Sequence, residues 1–129
     1  MSVALLLITH EHIANNLLNT AHDILNQKIE NLASVEAPMN TPVEEIKETA
    51  LNKLSLMNID EGILILTDLI GSTPFNIAAQ LNSEQSSSKL VSGLNLPMLL
   101  KLANYRLLPL AELTEKALLG GKNGINKHE

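Results

Sequence analysis

At 129 residues, 45% of them apolar, the chain is long enough to bury one core, and with one Phe, one Tyr and no Trp that core has to be aliphatic. A net charge of −5, without a basic cluster or an aromatic platform, argues against nucleic-acid binding. The absence of cysteine excludes disulfides, thiolate metal sites and a thiol nucleophile, and fits a reducing cytosol.

Residues 1–129 read as one domain with a cytoplasmic location. The opening MSVALLLITH lacks the basic start and cleavage site of a signal peptide. No stretch approaches the roughly 18 to 20 apolar residues of a transmembrane helix.

The run VALLLI, residues 3–8, predicts a strand covered on both faces, as in a parallel sheet. It ends in Thr9 and His10, after which the chain turns polar. From Ile13, apolar residues at Leu17, Leu18, Ala21, Ile24 and Leu25 recur at helical spacing, predicting a first helix over 13–27. Residues 31–38, NLASVEAP, are a weaker strand candidate. Thr41 at N-cap, Pro42 at N1 and Glu44 at N3 form a capping-box pattern that opens a second helix over 41–57. Its buried stripe is Val43, Ile46, Ala50, Leu54 and Met57.

Gly62 precedes ILILTD, residues 63–68, a second apolar run of strand length that also ends in a polar residue. GSTPFNIAAQL, residues 71–81, predicts a turn feeding a helix capped by Ser72 or Thr73, with Pro74 in its first turn. A short strand over 90–94 follows, then two helices over 95–105 and 110–119 separated by Pro109. GGKNGINKHE, residues 120–129, reads as a flexible tail or a last short strand. The order β-α-β-α-β-α-β-α-α predicts an α/β fold: a mostly parallel open sheet with helices on both faces. Ligand chemistry in such sheets lies outside the carboxyl ends of the strands, where His10 and Asp68 both fall.

Imidazole suits nucleophilic work because one nitrogen can be held by an acceptor while the other stays free to react. If the first and third strands are neighbours, Asp68 can hold the Nδ1 proton of His10 and leave Nε2 as the nucleophile. Gly71, Ser72 and Thr73 at a helix N-terminus offer close backbone approach, hydroxyls and amide donors, the parts of a phosphate cradle. Blander readings stand beside these: a loop histidine, a turn-capping Asp68 and a common Ser-Thr-Pro helix start. His12 and His22 look more ordinary still. A metal site drawing on His10, His12 and Asp68 is a weaker reading, and no metal or cofactor is expected. Neither a GxxxxGK[ST] loop nor a GxGxxG fingerprint is present.

The TH that closes the first strand, DLIGSTPFN at 68–76, GLNLPML at 93–99 and GGKNGI near the end run in order along nearly the whole chain. Together they resemble the IIA domain of the mannose family of the bacterial phosphoenolpyruvate-dependent sugar phosphotransferase system. The resemblance implies four strands in the order 2-1-3-4, and a homodimer in which residues 121–126 are the candidate for a fifth, antiparallel strand lent to the partner. It implies that His10 accepts a phosphoryl group on Nε2 from the phosphocarrier protein HPr and passes it to a IIB component in sugar uptake. Asp68 would orient the imidazole, and Thr73, with Gly71 and Ser72, would bind the phosphoryl group.

Two positions depart from the family pattern, with Glu11 and Ser72 where glycine is common. A carboxylate beside His10 would repel an incoming phosphoryl group unless it points away. Ser72 implies that the turn needs no positive φ there. The alternatives are a regulatory protein whose His10 phosphorylation controls a partner without transport, and a binding module that has lost the chemistry. The apolar residues Phe75, Leu96 and Met98 suggest a partner-facing surface.

Overall fold

In the computed structural model, which describes residues 1–129, strands and helices alternate as β1 (Ala4–His10), α1 (Ile13–Leu25), β2 (Leu32–Ala37), α2 (Val43–Ser55), β3 (Ile63–Thr67), α3 (Thr73–Glu84), β4 (Ser88–Ser92), α4 (Leu96–Asn104) and α5 (Leu110–Asn123). All pairings are parallel and the strand order is β2-β1-β3-β4, as the sequence led us to expect. Ala4 lies opposite Ile63 and Ile8 opposite Thr67, so β1 and β3 end at the same edge of the sheet.

The central strands are apolar throughout because each face meets a helical layer. Leu5, Leu7, Leu64 and Leu66 pack with residues of α1, α4 and α5 on one side. Leu6, Ile8, Ile63 and Ile65 pack with residues of α2 and α3 on the other. At the pole remote from His10, Arg106 Nη2 donates to the carbonyls of Val3, Glu30 and Asn31 at 2.6, 2.9 and 3.2 Å. These charge-assisted bonds tie the start of β1 to the loop that enters β2.

Several boundaries differ from expectation for local reasons. Helix α1 stops at Leu25 because Asn26 adopts a left-handed conformation at φ 55, and Ile24 faces solvent outside the buried stripe. The capping box at Thr41 does not form. The Thr41 amide bonds the Pro38 carbonyl in a turn that includes Asn40 at φ 67, so Pro42 becomes the N-cap and Val43 is exposed. Strand β4 begins two residues early, at Ser88, because an edge strand tolerates polar residues, and Gly93 at φ 83 follows its end.

The largest correction is at the C-terminus, where α5 runs through Gly120 and Gly121 to Asn123 and residues 124–129 form no strand. Residues 121–123, part of the segment offered as a strand for a partner, are helical in the single chain. Glycine ordinarily weakens a helix, but here it lets two helices touch. A Cβ at Gly120 would lie 2.5 Å from the Lys101 Cβ, and one at Gly121 would lie 2.9 Å from Met98 Cε. Helix propensity alone predicts that Gly120→Ala stabilises the protein by about 1 kcal/mol. Packing against α4 predicts the reverse, a loss of about 1–3 kcal/mol measured by urea unfolding. A stabilised variant would show that the α4–α5 contact does not require the missing side chain.

Candidate active site

Thr9 is wholly buried, and its hydroxyl joins the strand to the helix that follows. It donates to the His10 carbonyl at 2.8 Å and accepts the Ala14 amide at 3.0 Å, satisfying one of the free N–H groups in the first turn of α1. The sequence marked Thr9 only as the end of a strand. A hydroxyl residue four positions before the first helical residue was the available signal.

His10 follows with its side chain 38% exposed, and Asp68 stands beside it at 12%. His10 Nδ1 is 2.7 Å from Asp68 Oδ2, and the His10 backbone amide donates to the same oxygen at 3.1 Å. Asp68 Oδ1 accepts the Leu69 amide at 3.1 Å, so both carboxylate oxygens are held. Burial pushes the Asp68 carboxyl up. The hydrogen bond from the His10 ring, the backbone amides of His10 and Asp68 and the charge of His10 outweigh it and leave the carboxyl below its ordinary 3.8. An ionised carboxylate only accepts, which in the neutral ring puts the proton on Nδ1 and leaves the lone pair on Nε2.

The chain after Asp68 turns sharply into α3. Gly71 takes φ 83, and a Cβ there would meet nothing within 4 Å, so glycine is needed for its backbone angle and not for space. Ser72 is the N-cap at φ −83, consistent with a turn that needs no positive φ at this residue. Its hydroxyl donates to the Leu69 carbonyl at 2.7 Å and accepts the Phe75 amide at 3.4 Å, so it is occupied in shaping the turn. Thr73, the first residue of α3, is exposed and its hydroxyl bonds no protein group. Of the two hydroxyls that the sequence offered as phosphate donors, Thr73 has the free one.

Of the other histidines near this strand and helix, His12 turns its Nε2 to Glu11 Oε1 at 3.3 Å, and His22 accepts the Ile29 amide at 3.2 Å. Met98, suggested as a partner-facing residue, lies in the core at 3% exposure, and Phe75 and Leu96 are half-buried. The exposed apolar residues beside Asp68 are instead Leu69 and Ile70, at 58% and 68%. A cleft of about 560 Å³ between α1 and the β4–α4 connection is lined by His12, Ile13, Leu17, Leu94 and Leu96 among others. No helix is long and apolar enough to cross a membrane.

The sequence model of the family described as "PTS system fructose IIA component" matches residues 4–118. The PTS system mannose-specific EIIAB component of Escherichia coli K12 is 29% identical over 101 residues, which are 78% of this chain and 31% of that protein. The chain thus spans about a third of the length of the curated relatives it matches first. Among solved structures, the mannose/sorbose specific IIA subunit from Enterococcus faecalis superposes with a TM-score of 0.89 at 22% identity, covering 100% of this chain and 96% of that one. The phosphotransferase system component EIIA from Streptococcus agalactiae gives 0.84 at 24% identity, covering 97% and 96%.

The lowered Asp68 value fixes the sign of a pH effect. A carboxyl whose folded value lies below its unfolded one stabilises the protein above the unfolded value, and that contribution is lost as pH falls through the folded value. Denaturant unfolding of the parent and Asp68→Asn will differ at neutral pH, and the gap will close as pH drops below about 4. A gap unchanged at acid pH would show that Asp68 gains nothing from His10. Thr9→Val, which removes the hydroxyl from two buried backbone partners, will cost about 1–3 kcal/mol in the same assay.

Proposed function

Since the chain belongs to the family of PTS fructose IIA components, a part of the sugar phosphotransferase system, we propose that its residues 1–129 act as one phosphocarrier domain working through His10. Nε2 takes the phosphoryl group from the phosphohistidine of HPr: the donor P–N bond breaks, its electron pair returns to the donor ring, and a new P–Nε2 bond forms. The same exchange in the forward direction hands the group to a IIB component. The observation that carries this reading is the 2.7 Å contact between His10 Nδ1 and Asp68 Oδ2, which leaves Nε2 as the exposed lone pair of a held ring.

Phosphoryl transfer asks a protein chiefly for positioning and charge stabilisation. Asp68 supplies both. It fixes the ring and its tautomer, and it balances the positive charge that the imidazole gains as Nε2 bonds phosphorus. Thr73 offers a free hydroxyl, and the start of α3 offers the positive end of a helix dipole to the phosphoryl oxygens. The exposed Leu69 and Ile70 give a partner protein apolar surface at the edge of the same site.

The test is intact-protein mass spectrometry after incubation with phosphoenolpyruvate, Enzyme I and HPr. The parent will gain an acid-labile phosphoryl adduct and His10→Ala will gain none. Asp68→Asn will slow the gain by about tenfold or more, in the range of a misoriented acid–base partner. A folded parent that takes no phosphoryl group from an active donor mixture would overturn the reading.

A further inference from the structure

Glu11 sets a negative charge one residue from His10, yet its carboxylate is turned to the next side chain, with Oε1 3.3 Å from His12 Nε2. The backbone of His12 is unusual. It takes φ 75 as the N-cap of α1 and has no side-chain capping bond. Four residues other than glycine have positive φ, and the remaining three are Asn26, Asn31 and Asn40. Asparagine visits this region readily, so it is a substitution that keeps this backbone.

Capping does not explain the imidazole, and neither does burial, since His12 is exposed. The groups that line the cleft with it, from α1 and the β4–α4 connection, are Ile13, Asn16, Leu17, Thr20, Leu94, Asn95 and Leu96, none of them charged. Glu11 is therefore its one ionic partner.

We propose that His12 is a positioning residue for phosphoryl transfer at His10: its imidazole holds the Glu11 carboxylate to itself, so that a phosphoryl group can approach Nε2. This rests on the reading of His10 as the phosphoryl acceptor. An unpaired carboxylate several ångströms from a group bearing about two negative charges, across water, slows its arrival by about three- to tenfold.

The experiment measures the rate of His10 phosphorylation by phosphoenolpyruvate, Enzyme I and HPr in the parent and in His12→Asn, His12→Lys, Glu11→Gln and the Glu11→Gln/His12→Asn double variant. Asparagine keeps the left-handed backbone and removes the imidazole. His12→Asn will be about three- to tenfold slow, and His12→Lys, which offers Glu11 another partner, will stay within about twofold of the parent. The defect will vanish in the Glu11→Gln background, and it will shrink as the Debye length contracts to about 3 Å at 1 M salt. A His12→Asn defect that persists without Glu11, or that ignores salt, would make His12 merely structural and overturn the inference. His12→Asn as fast as the parent would overturn it too. Absence of an adduct on the parent itself would instead remove the reading of His10, and this inference with it.

Discussion

The parallel pairing of β1 with β3 is the constraint on which the site depends. His10 and Asp68 are 58 residues apart in the chain, and only the register that sets Ile8 opposite Thr67 brings their side chains to 2.7 Å. That register is held from both faces. Side chains alternate across a strand, so a slip of one residue would send Leu5 and Leu7 into the layer built for Leu6 and Ile8. The stability of the aliphatic core is thus the force that aligns the imidazole with its carboxylate.

The chemistry at the strand ends draws on the same economy. A single oxygen of Asp68 meets both the ring and the backbone of His10, which fixes the residue in place and in tautomer. Thr9, on the opposite side of the strand, clamps the His10 carbonyl and the first turn of α1. The ring therefore hangs from a backbone held on two sides. A ring held in this way needs little reorganisation as a reacting group arrives. At the far pole, Arg106 gathers three carbonyls and secures the beginning of the strand whose end carries His10.

Most of this was legible in the sequence. Unbroken apolar runs in β1 and β3 declared strands buried on both faces, and their polar ends placed His10 and Asp68 at one edge. Simple sequence rules failed where another contact, in a neighbouring turn or across the fold, outbid them. Thr41, Pro42 and Glu44 had the spacing of a capping box, but the Thr41 amide was already committed to the Pro38 carbonyl. Gly120 and Gly121 looked like the end of a helix and instead allow α5 to lie against Lys101 and Met98 of α4. Met98 looked available to a partner because its exposure depends on the same unseen contact.

The sequence by itself determined the class of fold, the strand that presents His10, and the polar groups that gather at its end. These follow from periodicity and side-chain chemistry, which are properties of neighbouring residues. Tertiary structure alone decided which oxygen of Asp68 binds the ring, that Ser72 spends its hydroxyl on the turn while Thr73 keeps its own free, and that Glu11 turns to His12. Each of those outcomes is a choice between hydrogen-bond partners distant in the chain or differing by one rotamer, and such choices are settled only when packing has fixed the distances.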